Sequence, residues 1–392
     1  MICFMKALVC IYNPADLFPP TLNAVRTLSS EFDEVVLITT RQDNEEMNYF
    51  PGNVKLVYPL RRKRSERPTL PGMLAYLRFT FEVWKYMMRT RFHLVLMYDP
   101  HAWLSVIISR VFFALGPGIK WYHNHDIYQL SNQRRFSAAW FALKQEAKAF
   151  RKLDVFSLPA NERKKYFPMD ELGGAYFFIP NYPSSQFMQN YPGSKPAGQV
   201  IRLIYQGRIA EGHGLESIIE MISLPVNGKQ LQLVLKGFID PRYKSDLKNK
   251  ATREGVLHQL EFHGPSAYSE VPRITSGCQI GLAIHQNTDI MTTTLGTSSN
   301  KIYEYAALGL PVILFDTPHF RNHLGRFTWT YFTDCSRRSL LDCIKEIDSG
   351  YLSLSSQARE DFLRELNFET NFRPAIAYCK QILGSSQTVP AS

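Results

Sequence analysis

The stretch that most limits how this chain can fold runs from Thr294 to Asp316, TLGTSSNKIYEYAALGLPVILFD. A short apolar run, Ile280 to Ile284, precedes it, with the length and composition of a buried strand. Ser298, Ser299 and Asn300 are residue types that accept hydrogen bonds from the free amides of a first helical turn. Ile302, Tyr305 and Ala306 then recur at helical spacing and can face a sheet. Gly309 suits the position just past a helix end, and Pro311 prevents continuation. Pro311 to Phe315 is a second apolar run. Strand, helix and strand in this order predict a βαβ unit of a parallel sheet. In such sheets ligands gather where the loop at a strand's carboxyl end feeds a helix N-terminus. Free N–H groups and the positive end of the helix dipole favour a phosphate there. Glu304, one turn into the helix, is then placed to accept bonds from sugar hydroxyls. The alternative is an ordinary crossover in which Lys301 and Glu304 form a solvated ion pair.

The same alternation runs along the whole chain and predicts an α/β protein with doubly wound parallel sheets. In the first half, strands are expected at Lys6 to Tyr12, Val35 to Thr39, Val54 to Tyr58, Leu94 to Tyr98, Ile119 to Tyr122, Val155 to Leu158 and Tyr176 to Ile179. Helices are expected at Pro20 to Leu28, Ala102 to Leu115 and Phe136 to Leu153. Pro183 to Gln199, rich in Pro, Ser and Gly with few apolar anchors, reads as a linker. Beyond it strands are expected at Ile201 to Tyr205, Leu231 to Leu235, Leu260 to Phe262, Ile280 to Ile284 and Val312 to Phe315. From Gln357 onward the pattern is helical only. With 392 residues, 45% apolar and 20% charged, the chain is long and apolar enough for two globular cores. The opening MICFMKALVCIY runs directly into Asn13-Pro14 without a small-residue cleavage site, so it reads as a first strand and not a leader. The best apolar helix, His101 to Leu115, is interrupted by Arg110 and too short to span a bilayer. Six scattered cysteines without a C-x-x-C pair fit reduced thiols of a cytoplasmic protein and argue against structural zinc.

Two further segments carry chemistry. Leu203 to Arg208 is a strand ending in Gly207-Arg208, after which Gly212-His213-Gly214 opens the next helix. A guanidinium at a strand's carboxyl end is shaped to grip a diphosphate through paired donors, although a surface Arg in a glycine turn is the commoner role. At the end of the strand from Ile119 comes His123-Asn124-His125-Asp126. Histidines in H-x-H spacing on a strand face one way and suit a metal, but no additional ligand cluster accompanies them, and a capping role is the simpler reading.

The string SSNKIYEYAALGLPVI resembles the donor-nucleotide motif of glycosyltransferases of the GT-B fold, in particular the large retaining family 4. The resemblance implies two Rossmann-like domains facing a cleft, with the last helix crossing back to the first domain. It implies an acceptor-binding domain over residues 1–185, joined by residues 365–392, and a nucleotide-sugar-binding domain over residues 200–364. Ser299, Asn300, Lys301 and Glu304 fall on the donor motif, and Glu304 matches the residue that binds the ribose. The family's second Glu, eight positions earlier, is Gly296 here. Arg208 matches the arginine of the family's G-R-x4-K-G diphosphate motif, whose lysine position holds His213. His125 with Asp126 matches a His-Asp pair near the reacting sugar, and His123 is its competitor. The implied activity is retaining transfer of a sugar from a nucleotide diphosphate sugar, UDP- or GDP-linked, to a lipid-linked or glycan acceptor in cell-surface polysaccharide or glycolipid synthesis. No cofactor and no metal are implied: there is no D-x-D motif, and Arg208, Lys301 and a helix N-terminus would neutralise the leaving diphosphate. Gly296 and His213 keep open a degenerate nucleotide-sugar-binding protein, and an epimerase on the same fold is the other alternative.

The net charge of +10 is uneven. Residues 61–91 hold nine Lys or Arg against two Glu, a net +7. Arg78, Glu82, Lys85 and Arg89 form one polar stripe of a helix. Met73, Leu74, Leu77, Phe81, Trp84 and Met88 make the rest apolar. Part of that surface must pack on the sheet. The remainder, flanked by Arg61 to Arg64, has the character of an interfacial helix drawn to anionic lipid on the inner face of a membrane. A buried crossover helix with a solvated basic loop is the alternative. No nucleic-acid-binding motif is present, so no nucleic acid is expected.

Overall fold

The computed structural model describes residues 4–42, 50–62, 72–112, 118–191, 193–286 and 295–387. Thr294 and most of the basic loop, residues 63–71, lie outside them. The chain forms two compact units, Met1–Pro180 with Phe368–Ser392, and Asn181–Asn367.

Unit 1 contains β1 (Lys6–Pro14), α1 (Pro19–Ser29), β2 (Glu34–Gln42), β3 (Val54–Val57), β4 (Arg61–Arg62), α2 (Gly72–Arg89), β5 (Leu94–Tyr98), α3 (Asp99–Phe112), β6 (Ile119–His123), α4 (Ala138–Phe150), β7 (Val155–Leu158) and β8 (Ala175–Phe178). Unit 2 contains β9 (Val200–Gln206), α5 (Leu215–Met221), β10 (Gln230–Lys236), α6 (Pro241–Arg253), β11 (Leu260–His263), α7 (Val271–Thr275), β12 (Ile280–Ala283), α8 (Leu295–Ser298), α9 (Asn300–Ala307), β13 (Val312–Phe315), α10 (Pro318–Leu324), β14 (Thr330–Thr333) and α11 (Arg337–Arg364). The last helix, α12 (Phe368–Gln387), belongs to unit 1.

The first sheet has the order β3-β2-β1-β5-β6-β7-β8, with β4 beside β2, and the second β11-β10-β9-β12-β13-β14. Neighbouring strands pair parallel throughout both sheets. Each order starts mid-sheet, runs to one edge, then restarts on the other side of the first strand. That is the doubly wound arrangement, and it follows from helices covering both faces. In β9, Leu203 and Tyr205 enter one core cluster with Leu215, Ile218 and Ile344, while Ile204 enters another with Ile302, Ala306 and Val312. A strand buried on both sides reads as a continuous apolar run, which is why VIRLIYQ and ILFD-type segments were legible as strands.

Helix α9 ends as expected. Gly309 adopts φ +74°, its N–H reaches Ala306 O, and the Leu310 N–H closes back on Tyr305 O. This paired closure satisfies the last carbonyls of the helix and needs a residue free of a Cβ penalty.

The C-terminal crossing is also as expected. Phe368, Phe372, Ala375, Ile376 and Cys379 of α12 join the core of unit 1, and Phe372 stacks on Trp121 at 4.9 Å. The five described cysteines, Cys10, Cys278, Cys335, Cys343 and Cys379, are free and buried.

Several expectations are corrected. The segment read as a linker packs on unit 2: Met188 is buried, Phe187 meets the Tyr268 ring at 5.2 Å, and the Ser194 N–H bonds Leu308 O at 2.8 Å. Two apolar anchors in a polar segment were enough to fix it. Helix α11 starts at Arg337, well before Gln357, and α10 and the edge strand β14 were not anticipated. In α2 the sheet-facing residues are Ala75, Tyr76, Phe79, Val83 and Met87. Met73, Leu74, Leu77 and Phe81 remain exposed at 46%, 52%, 53% and 55%, so the helix is apolar on more than its packed face.

Candidate functional site

In unit 2 the strand order reverses at β9, with β10 on one side and β12 on the other. Loops leaving two neighbouring carboxyl ends there diverge to opposite faces and open a crevice. Four of the expected residues converge at this point. Lys301 donates from Nζ to Tyr205 Oη at 2.8 Å and lies 4.1 Å from the Tyr205 ring centre. Tyr205 Oη pairs in turn with His213 Nδ1 at 2.7 Å. The Ala210 N–H also donates to that Nδ1, at 3.2 Å. Nδ1 therefore carries no proton, and the neutral ring presents its N–H at Nε2. Burial, with Lys301 and Arg208 nearby, pushes the imidazole down to about 4. His213 is thus neutral at pH 7, although it occupies the lysine position of the resembled motif. Arg208 is exposed on the loop that leaves β9.

Glu304 is 5% exposed and accepts a bond from Gln206 Nε2, while Gln206 Oε1 accepts from Thr275 Oγ1 at 2.7 Å. Burial pushes the carboxyl up to about 7, against the Tyr268 and Gln206 bonds and the charge of Lys301. Burial likewise pushes Lys301 down to about 7. Glu304 is buried and Lys301 half-buried, so they are not a solvated surface pair. Ser299 holds the N-cap position of α9, but its side chain makes no cap bond. Asn300 Oδ1 is buried without a partner among the described residues. Gln206, Tyr205, Thr275 and Tyr268 were not foreseen. Period-two reading of β9 could have flagged the first two, since Tyr205 and Gln206 end the strand on opposite faces.

At Gly296, where the resembled pattern has a second Glu, a side chain would meet the rings of His319 and His323. Its N–H bonds His319 Nε2 at 2.8 Å, and a Cβ would stand 2.8 Å from the same nitrogen. His319 and His323 of α10 fill the space that a carboxylate would need.

Unit 1 carries its own polar cluster at the carboxyl ends of β5 and β6. Asp99 follows β5 with φ +63°, is 2% exposed, and accepts the His125 N–H at 2.8 Å. Arg163 donates to His125 O from the other side. The His125 ring stacks between Tyr98 at 4.6 Å and Phe18 at 5.2 Å, and its Nε2 pairs with Thr21 Oγ1 at 2.9 Å. His123 Nδ1 pairs with Ser157 Oγ at 2.8 Å, and the two histidine rings lie 4.9 Å apart. Burial pushes His123 down to about 3 and His125 well below the usual imidazole range. Both are therefore neutral hydrogen-bonding groups. Asp126 is raised by burial, with Arg163 opposing.

Burial, and secondarily Asp126, pushes Asp99 up to about 8 from an ordinary 3.8. A carboxyl raised on folding contributes stability below its unfolded pKa, and that contribution is lost as pH rises through the folded one. Asp99→Asn keeps an acceptor for His125 but cannot ionise. Its melting temperature relative to the parent should therefore climb steadily from pH 4 to pH 8, read by differential scanning calorimetry. An offset constant with pH would contradict this.

No family model matches the chain, and no curated protein matches it in sequence. Solved structures do match over almost its whole length. The fold is the two-unit GT-B fold. Sucrose-phosphate synthase from Thermosynechococcus elongatus superposes with a TM-score of 0.67 at 13% identity, covering 97% of this chain and 100% of that one. HepE of Anabaena, solved with UDP and glucose, gives 0.62 at 14% identity over 98% and 100%. WaaG, a glycosyltransferase involved in lipopolysaccharide biosynthesis, gives 0.60 at 13% identity over 95% and 99%.

Proposed function

We propose that the protein is a glycosyltransferase that binds a nucleotide diphosphate sugar on unit 2 and an acceptor on unit 1. The observation that carries this reading is the pairing of two assemblies at the β9 carboxyl end. One is the Lys301–Tyr205–His213 chain of donors, and the other is the enclosed Glu304 carboxylate held by Gln206. A diphosphate suits the first, with Arg208 added from the loop, and vicinal ribose hydroxyls suit the second. Asn300, at the start of α9, would lend its backbone amide to the same anion, and Ser299, whose N–H is bonded to Leu295 O, would offer its hydroxyl. HepE's complex with UDP supports a uridine nucleotide as the first donor to try, with a guanosine nucleotide as the other. On unit 1, His125 and Asp126 are proposed for the reacting sugar, with the neutral imidazole hydrogen-bonding its hydroxyls. No covalent nucleophile, metal or cofactor is part of the proposal, and transfer is with retention.

The acceptor proposed is a lipid-linked or glycan chain of cell-surface polysaccharide or glycolipid, reached at the inner face of a membrane. Among the described residues no helix is long and apolar enough to cross a membrane. The exposed Met73, Leu74, Leu77 and Phe81, beside the basic residues of 61–91, support peripheral attachment instead. Sedimentation with vesicles rich in phosphatidylglycerol should carry the protein down at low salt, and Leu77→Glu with Phe81→Glu should release it. Equal binding to neutral vesicles, or none, would count against attachment.

The donor reading is tested by thermal shift against UDP, GDP, ADP, CMP and their common sugar conjugates. A ligand in excess over its Kd raises the melting point by mass action. One nucleotide family should stabilise the parent, and Arg208→Ala should lose that response. No response to any nucleotide in a folded sample would turn the assignment away from a donor site.

A further inference from the structure

Beside the donor residues stands a histidine with no assigned part. His285 follows β12, the strand that neighbours β9 at the reversal point. Its ring meets His213 edge to face at 4.9 Å and Tyr205 at 6.4 Å. The following Gln286 N–H bonds Gly212 O at 2.9 Å, so the loop after β12 is fastened to the loop that carries His213. That fastening requires Gly214 to lack a side chain, because a Cβ there would stand 2.7 Å from Ile284 Cγ2. The position of the ring is therefore set from both loops.

His285 Nε2 is shut off from solvent and has no hydrogen-bond partner among the described residues. A buried polar atom without a partner is uncommon in a native fold and calls for a reason. The groups facing it supply one. Tyr205 comes from β9, His213 from the loop after it, and Lys301 from α9; Cys335, preceding α11, reaches only the neighbouring Gln286. Arg208 adds positive charge on the His213 side. Among the described residues, Glu304 is engaged with Gln206 and acts on Lys301, and Glu211 lies exposed on the loop that carries His213. Among the described residues the groups that act electrostatically on His285 are Lys301 and His213, so its ring faces positive charge.

We propose that His285 is a further diphosphate-binding residue of this site, supplying beside the neutral His213 the positive charge that a lysine in the latter position would bring. The inference rests on the donor-site reading above. That charge is conditional. Without an anion, burial and Lys301 keep both rings neutral. When a diphosphate enters, its charge stabilises the imidazolium form of His285, which takes one proton from solvent, while His213, whose Nδ1 accepts from the Ala210 N–H, donates from Nε2 as the neutral ring. Anion binding is then coupled to proton uptake, so affinity rises as pH falls from 8 to 6.

Inorganic pyrophosphate is the direct probe, titrated calorimetrically into the full-length protein at pH 6, 7 and 8. The parent should bind more tightly at pH 6. His285→Phe, which keeps ring volume without a nitrogen, should weaken binding about tenfold at pH 6 and flatten the pH dependence. His285→Gln, which retains a neutral donor, should recover part of the affinity and none of the slope. A purely structural histidine would not move the slope. Should the phenylalanine variant not fold, ¹⁵N-histidine spectra of the parent replace it: the His285 imidazole should shift toward the imidazolium form on adding pyrophosphate. Absence of that shift, of pyrophosphate binding, or of any difference in affinity and slope would overturn the inference. UDP and GDP, run in parallel, separate it from the donor reading. Nucleotide binding that depends on Arg208 and ignores His285 refutes this inference alone. Pyrophosphate binding that depends on His285, with neither nucleotide competing, refutes the nucleotide reading alone.

Discussion

Glu304→Ala should weaken binding of the cognate nucleotide by about 10- to 100-fold, the range expected when hydrogen bonds to a charged acceptor are removed. The carboxylate is the natural partner for two vicinal hydroxyls, because one oxygen can serve each. It reaches that position already oriented: Gln206 donates to it, and Thr275 in turn fixes Gln206. Glu304→Gln should fall between parent and alanine, since an amide keeps one acceptor. The pH dependence gives a second signature. Burial raises this carboxyl to about 7, so the ionised form that accepts from ribose is gained as pH rises through that value. Nucleotide affinity should therefore carry a limb rising through pH 7, and Glu304→Gln should remove it. Isothermal titration at several pH values reads both effects. Unchanged affinity in the alanine variant would detach Glu304 from the nucleotide.

The largest effect on stability is expected at a residue far less conspicuous than Glu304. Gly281 lies in the middle of β12, and a Cβ there would stand 2.3 Å from Cδ2 of Tyr305. Tyr305 cannot give way cheaply. Its hydroxyl accepts the Gln206 N–H at 3.0 Å and faces the carbonyls of Ile204 and Leu282 at 3.1 and 3.3 Å. Gly281→Ala must displace the ring, strain the strand, or both, at a cost of about 3 kcal/mol from overpacking and lost hydrogen bonds. The damage should reach function, because the same ring anchors the end of β9 from which Gln206 meets Glu304. Urea denaturation should show the lowered midpoint, and the folded fraction should bind nucleotide poorly. An unchanged midpoint would mean that the close approach of strand and ring is not a real constraint.

Much of this architecture is legible in the chain because parallel strands buried on both faces are almost uniformly apolar. Leu94–Tyr98, Val155–Leu158 and Val312–Phe315 fall at the expected boundaries. What escapes is what depends on partners distant in sequence. Edge strand β14 has only partly buried Tyr331 and Phe332, so it lacks the continuous apolar signature. Phe187 and Met188 anchor a Pro- and Ser-rich segment through contacts that no local pattern shows. At the site, Arg208, Lys301 and Glu304 stand out as charged residues at loop and helix starts. Tyr205, Gln206 and His285 acquire meaning only once β9, β12 and α9 are brought together. The neutrality of His213 is likewise a property of its surroundings: the Tyr205 hydroxyl and the Ala210 amide select its tautomer.

The central claim is that the carboxyl end of β9 and the start of α9 hold a nucleoside diphosphate. The most direct measurement is a crystal structure of the full chain with UDP or GDP, whichever the thermal screen selects. The ribose hydroxyls should lie on Glu304 and the diphosphate among Arg208, His213 and Lys301. Nucleotide bound elsewhere on the protein, with those side chains unmoved and uncontacted, would contradict it.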